Sequence, residues 1–275
     1  MRNLLSANFF RLRKSALFWG TLTVSFGVGL MLVLNRLGDR ARYGVSISLD
    51  QILFGHAVTI GLVGSIFVSL FLGTEYSDGA IRSKVAAGHS RASIYLAGFL
   101  SMTACCLLFC LVCLAAVLGL GVPLIGPPSV PLGKLLPLMA GSMVVALSFC
   151  ALFTLVAVNC SRKAVSVVVC MLGVIFMMSL TTYLSARLDQ PEFRDTLPLV
   201  VNGQIVTGSE PNPLYLRGAV REVYQVLNDL LPYGQAMQYM TFSATHPERL
   251  PLYSLAVSAL STGAGVLLFR RKDLK

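Results

Sequence analysis

The sequence predicts an all-α membrane protein that crosses the bilayer six times as a single transmembrane domain, residues 1–275. Hydrophobic residues make up 55% of the chain and charged residues only 12%, whereas about a quarter of a soluble domain is charged. Mean hydropathy is +0.74. Six segments lack Asp, Glu, Lys and Arg, and each is close to the roughly 20 residues that a helix needs to cross the hydrocarbon layer. They are residues 15–34, 52–72, 94–120, 135–158, 165–184 and 251–269.

The fourteen residues before the first span predict a short helix in the membrane interface. Leu4, Leu5, Phe9 and Leu12 recur near helical spacing, with polar and basic residues between them. Such a pattern is typical of a helix that lies along a membrane surface. The alternative is a basic flank that only fixes the topology.

Charge predicts which way the spans face. If the amino terminus is cytoplasmic, the cytoplasmic segments hold 13 of the 22 Lys and Arg residues but only 3 of the 12 acidic residues. The whole net charge of +10 then lies inside, as positively charged cytoplasmic loops require. Both termini are predicted to be cytoplasmic, and nucleic acid is not needed to explain the basic excess.

The connection between the second and third spans predicts a helix of about two turns beside the membrane. Ser77 or Asp78 can cap its start, Gly88 can end it, and Ile81 and Val85 form an apolar stripe one turn apart. Five charged residues interrupt the apolar sequence here, which suits either a plain connection or a surface that docks a partner. They are Glu75, Asp78, Arg82, Lys84 and Arg91.

Residues 185–250 predict a small ordered extracellular cap inserted between the fifth and sixth spans. Asn202-Gly203 between apolar residues favours a β-hairpin with a tight turn. A helix over 214–231 follows, and a second helix over 236–242. The apolar residues predicted to share one side of the first helix are Leu216, Val220, Val223, Leu227 and Leu230.

The usual catalytic and metal-binding patterns are missing from the sequence. There is no G-x-x-x-x-G-K-[ST] phosphate loop and no H-E-x-x-H zinc motif. His56, His89 and His246 are far apart, and His56 is predicted to be an ordinary histidine near the end of a span or, alternatively, a pore residue. The spans carry no carboxylate, which argues against an ion-coupled transporter and an intramembrane enzyme. Energy for transport would then come from another polypeptide.

All seven cysteines lie in or beside the apolar segments, which excludes a disulfide-stapled secreted fold. They are Cys105, Cys106, Cys110, Cys113, Cys150, Cys160 and Cys170. Cys106, Cys110 and Cys113 share one helix face by spacing, and a metal site there is the alternative to simple packing between helices. Packing is the interpretation we favour, because no His, Asp or Glu is near them in the sequence.

Residues 71–98 resemble the segment that follows the second span of ABC-2 type permeases, in which an E-Y-x-x-G-[ST]-[IL]-R pattern precedes a glycine and a Ser-Arg pair. Ala80 stands where Thr or Ser is usual. Residues 3–19, 228–236 and 270–275 are similar to other parts of the same permeases. The residues that match the pattern are Glu75, Tyr76, Gly79, Ile81, Arg82, Gly88, Ser90 and Arg91.

The resemblance implies a six-span ABC-2 (type V exporter-like) bundle in a bacterial cell (inner) membrane, with a coupling helix that seats in a separate ATPase. Two ATPase subunits would bind ATP and Mg²⁺, so no cofactor and no enzymatic activity are expected in this chain. A second permease copy or a related permease would complete the path for an amphiphilic substrate such as an antimicrobial peptide, drug or lipid-like molecule. The residues implied to couple are Glu75, Tyr76, Asp78, Gly79, Ile81, Arg82, Lys84, Gly88 and Arg91.

A second hypothesis belongs to a different class. The chain could be a membrane sensor or assembly factor, related to ABC permeases but without transport, whose extracellular cap binds a ligand. A neighbouring ATPase gene would favour the exporter.

Overall fold

A computed structural model of the chain describes residues 1–160, 162–195, 199–201, 204–206 and 208–272. Eleven helices and four short strands occur in these residues. In chain order they are α1 (Arg2–Arg13), α2 (Ala16–Tyr43), α3 (Asp50–Leu53), α4 (Gly55–Ser77), α5 (Ala80–Ala86), α6 (Arg91–Leu124), α7 (Leu132–Asn159), α8 (Lys163–Leu188), β1 (Phe193–Asp195), β2 (Leu199–Val201), β3 (Gln204–Val206), β4 (Ser209–Pro211), α9 (Gly218–Leu230), α10 (Pro232–Thr241) and α11 (Leu250–Arg271).

Six long apolar segments confirm the prediction of an all-α protein built to cross a membrane. By length and composition, α2, α3 with α4, α6, α7, α8 and α11 could each span a bilayer. The α4 and α7 helices are the most buried, and α2, α8 and α11 have the smallest share of buried residues. Because the outer helices carry apolar side chains on their exposed faces, the bundle needs an apolar surrounding such as lipid.

Both ends of the described chain lie at the same end of the bundle, which we name the α1 end. Arg11 contacts Glu75 near the end of α4. Arg91 at the start of α6 donates to the carbonyl oxygens of Phe269 and Arg270 near the end of α11. An even number of crossings produces this arrangement.

Every predicted span is longer in the structure than its apolar segment. The α2 helix continues nine residues past Leu34 to Tyr43 and ends at Gly44, whose φ of +63° favours glycine. Arg36 and Asp39 pair at 3.4 Å on this extension. The apolar segment ends near the first charged residue, but the helix continues until a residue that disfavours helical structure.

The predicted amino-terminal helix is present as α1 and packs on α6. Its buried side differs from the prediction. Leu4, Asn8 and Leu12 are buried, at successive intervals of four residues. Phe9, which was predicted to lie on the apolar stripe with Leu4 and Leu12, is exposed. Residues at i and i+4 share a helix face, so Asn8 takes the central place between the two leucines.

The opposite end of the bundle, which we name the α10 end, carries the segment between α8 and α11. Phe54 packs there on Tyr239 of α10, with ring centroids 6.1 Å apart. The β1 and β4 strands pair antiparallel, and so do β2 and β3, with Val201 opposite Gln204. The predicted hairpin is thus present, although its Asn202-Gly203 turn lies outside the described residues.

The helices of this segment depart from the prediction in position and in orientation. The first begins at Gly218, not at 214, and the second begins at Pro232 rather than at 236. Proline cannot continue a helix but suits the first turn of the next one. The predicted apolar side of α9 does not cover the bundle, because Val220, Val223 and Leu227 are exposed.

The polar side of α9 packs inward in its place. Asp229 is buried, and its Oδ1 accepts hydrogen bonds from Gln225 at 3.1 Å and from Gln238 at 2.9 Å. A buried carboxylate needs such donors to offset the loss of water. These bonds tie α9 to α10 and leave the apolar side of α9 facing outward.

Candidate functional site

The polar segment between the second and third spans begins inside α4, because that helix continues to Ser77. Asp78 follows, and Gly79 has a φ of +70°, which changes the chain direction before α5. The predicted cap by Ser77 or Asp78 is therefore wrong: Gly79 occupies the N-cap position, since a left-handed turn favours glycine. The predicted two-turn helix is present as α5, and Gly88 with a φ of +84° follows its end.

A buried carboxylate fixes α5 to the rest of the α1 end. Glu75 is 3% exposed, and its Oε1 lies 2.8 Å from a guanidinium nitrogen of Arg11 and 3.0 Å from Nζ of Lys84. Lys84 also donates to Oδ1 of Asn8 at 3.0 Å, and the Asn8 amide donates to the Ser101 hydroxyl at 3.3 Å. We name these five side chains the bracing network. They connect α1, α4, α5 and α6.

The bracing network explains why a charge can be buried here. Removing a carboxylate from water costs several kcal/mol unless cations and donors replace the lost hydration. Two cations meet Glu75, and one of them, Arg11, also lies 4.3 Å above the ring of Phe71. The network therefore fixes the position of Lys84, and with it the rotation of α5 about its own axis.

A second set of contacts joins the carboxyl-terminal residues to the same end. Nζ of Lys272 lies 3.9 Å from the ring centre of Tyr76 and donates to the carbonyl oxygens of Val158 and Asn159 at 3.1 and 2.9 Å. Arg91 also donates to the carbonyl oxygen of Lys272. These bonds satisfy carbonyl groups that the ends of α7 and α11 leave without helical partners.

One side of α5 takes no part in these contacts and is exposed. Arg82, Ser83 and Ala86 are exposed, whereas Ile81 is buried. Within the described residues, Arg82 makes neither an ion pair nor a side-chain hydrogen bond, unlike Lys84. We name Arg82, Ser83 and Ala86 the outward face of α5. It presents a cation without a partner in the described residues, on a short helix whose opposite side is held by the bracing network.

The predicted coupling residues thus separate into three groups. Glu75, Tyr76, Ile81, Lys84 and Arg91 contact their own chain. Gly79 and Gly88 shape the turns on either side of α5. Asp78 and Arg82 are exposed.

Sequence reasoning missed four residues of this site: Asn8, Arg11, Ser101 and Lys272. Asn8 gave a signal, since a polar residue spaced four from both Leu4 and Leu12 lies on the buried side of an amphipathic helix. Arg11 lies three residues after Asn8 on the same helix, so helical spacing places it near Asn8. Ser101 and Lys272 gave none, because their partners are far away in the chain.

The histidine and cysteine residues considered as pore or metal-binding candidates do not form a site. His56 is buried, with Nδ1 3.2 Å from the carbonyl oxygen of Leu53 and Nε2 3.1 Å from the Ser142 hydroxyl. The cysteines are free thiols, and all but Cys160 are buried among the helices. Across the part of the chain that the structure describes, no group of three or more His, Cys, Asp or Glu side chains could hold a metal ion.

Comparison with known protein families and with curated proteins gives no match to this chain.

Proposed function

We propose that the chain is the permease subunit of an ATP-driven exporter and that the outward face of α5 docks a separate ATPase. One observation supports this most: α5 is short, its rotation is fixed by the bracing network, and its outer side carries Arg82, a cation with no ion pair among the described side chains. A lever that transmits force between proteins needs both a rigid attachment and a free contact surface. A plain connection between spans needs neither.

In this proposal the α1 end is cytoplasmic, as the charge asymmetry predicts, and the α10 end with its strands and α9 is the extracellular cap. ATP binding draws the two ATPase subunits together, and each pulls on the α5 helix of its permease. Since α5 is tied to α1, α4 and α6 through Glu75 and Lys84, that pull acts on three helices at once. The bundle then rocks as a body around a substrate path shared with a second permease.

The uncharged spans support the substrate class that we propose. They carry no Asp, Glu, Lys or Arg over the six apolar segments, so an amphiphile suits the path better than an ion. We propose an antimicrobial peptide, a drug or a lipid-like molecule as cargo, moved across a bacterial cell membrane.

The decisive variant is Arg82→Glu, assayed in a complex purified after co-expression with a candidate partner ATPase. Reversing the charge of a desolvated contact residue typically costs a few kcal/mol, so ATPase co-purification or substrate-stimulated hydrolysis falls at least tenfold. Arg42→Glu is the matched control, because Arg42 is also exposed but lies at the far end of α2. If Arg82→Glu and Arg42→Glu both behave like the unchanged protein, α5 is not the docking surface.

A second candidate function is supported by a polar cavity at the α10 end. It has a volume of about 380 Å³ and lies between α8, α9 and α10. Asp189, Arg221 and Gln238 are among its lining residues. A sensor that binds a ligand there would keep ligand affinity in the Arg82→Glu variant and lose it in Arg221→Ala, which a direct binding titration distinguishes.

A further inference from the structure

We propose that a groove between α1, α2 and α6 binds one anionic phospholipid, with its phosphate at Arg13 and Lys14 and an acyl chain along α6. The proposal does not depend on the exporter function. It depends on the groove, on the charge at its mouth and on the apolar surface that surrounds it.

The groove is apolar along its length and has a volume of about 460 Å³. Leu108 and Leu111 are 40% and 52% exposed, so its floor opens sideways between the helices. From Ala104 to Leu111, α6 rises roughly 10 Å at about 1.5 Å per residue. The lining residues are Phe9, Leu12, Arg13, Phe18, Ala104, Cys105, Leu107, Leu108 and Leu111.

The mouth of the groove has positive charge that no described carboxylate neutralises. Among the described side chains, Glu75 is the carboxylate that α1 contacts, and it pairs with Arg11. Arg13 lines the groove and is exposed, with no ion pair in the described chain. Lys14 is exposed too, and its Nζ lies 4.4 Å from the ring centre of Phe10.

The surroundings of the groove favour a lipid as its occupant. Trp19, Leu108 and Leu111 are exposed around it on helices long enough to span a bilayer, so the floor faces hydrocarbon rather than water. A water-soluble anion would meet Arg13 but leave the apolar floor uncovered. A phospholipid supplies both parts, and cations near a membrane surface attract anionic headgroups.

A lipid in this groove would support α1 from the side that protein contacts leave open. Asn8 secures one side of α1 through Ser101 and Lys84. Phe9, on the groove side, is 42% exposed. The lipid would cover Phe9 and complete the packing of α1.

Trp19 provides a built-in reporter for the test, because it is the single tryptophan of the chain. Its Nε1 donates to the carbonyl oxygen of Arg13 at 2.9 Å, and its ring centroid lies 5.4 Å from that of Phe18, a lining residue. Bromine atoms on a lipid acyl chain quench tryptophan fluorescence at short range. The full-length protein is therefore reconstituted in phosphatidylcholine vesicles that contain a small fraction of brominated phosphatidylglycerol or, separately, of brominated phosphatidylcholine.

We expect brominated phosphatidylglycerol to quench Trp19 at roughly tenfold lower mole fraction than brominated phosphatidylcholine, since two cations near a membrane surface each add attraction. The Arg13→Gln, Lys14→Gln double variant should lose this preference, and Ala104→Phe, which fills the groove at an exposed position, should weaken quenching by both lipids. Arg42→Gln is the control and should change nothing.

Two results would overturn the proposal. Equal quenching by the two brominated lipids would mean that Trp19 senses only the general lipid layer. A preference that survives the Arg13→Gln, Lys14→Gln double variant would place the anionic lipid elsewhere. Gel filtration and helical circular dichroism of each variant show that the fold is kept.

Discussion

Removing both cations from Glu75 should destabilise the protein more than removing all three charges. In the Arg11→Gln, Lys84→Gln double variant, a carboxylate that is 3% exposed loses both cations that lie within 3.0 Å. An uncompensated buried charge costs about 3–5 kcal/mol. Adding Glu75→Gln removes the charge and leaves amides that can hydrogen-bond, so most of that loss should be recovered.

The stability lost when one cation is removed depends on how far the side chain of that cation is exposed to water. The Arg11 side chain is 39% exposed, so water already screens its pair, and Arg11→Gln alone should cost about 1 kcal/mol or less. Lys84 is 17% exposed and also bonds Asn8, so Lys84→Gln should cost roughly 1–3 kcal/mol.

Reversible unfolding in mixed detergent micelles, followed by Trp19 fluorescence, measures these differences in free energy. Arg36→Gln is the control, because its pair with Asp39 is partly exposed and should contribute less than about 1 kcal/mol. If the triple variant is no more stable than the double variant, Glu75 does not carry a buried charge held by these cations, and the bracing argument fails.

Two further predictions concern packing and orientation. Gly265→Ala should destabilise the protein by about 1–3 kcal/mol in the same unfolding assay, because the added methyl group would meet the Tyr95 hydroxyl where α11 packs on α6. Gly263→Ala is the control: its methyl group faces open space, so it should be neutral or slightly stabilising. In a background without the native cysteines, a cysteine at Glu210 should react with a membrane-impermeant thiol reagent added to intact cells, and one at Ser83 should react only after the membrane is opened; the reverse pattern would invert the proposed orientation.

The spans could be predicted from the sequence because each requires only its own composition. A run of about twenty apolar residues identifies a membrane helix without reference to its partners. The helix ends were harder, as α2 shows, because Arg36 and Asp39 end the apolar segment without ending the helix. The α5 helix was predictable for a similar local reason, since Gly88 follows its end and Ile81 and Val85 form its apolar stripe, but its start at Gly79 was not recognised.

The contacts of the candidate site could not be predicted, because they join distant parts of the chain. Glu75 lies 64 positions from Arg11 and 9 from Lys84, and the sequence gives no sign that one carboxylate meets both. The prediction of how α9 is oriented was wrong for a related reason. Amphipathic spacing shows that a helix has an apolar side, but the bonds of Asp229 to Gln225 and Gln238 decide which side turns inward.

Site-specific photo-cross-linking tests the docking role of α5 most directly. A photoreactive amino acid is placed at Ser83 or Ala86, on the outward face of α5, or at Ser209 of β4 at the opposite end of the bundle as the control. Irradiation of cells that co-express a candidate partner ATPase should yield an adduct between this chain and the ATPase from positions 83 and 86 and none from 209. An ATPase variant that does not bind ATP should change the adduct yield. A folded protein that gives no ATPase adduct from either α5 position, while other positions at the α1 end do, would contradict the account.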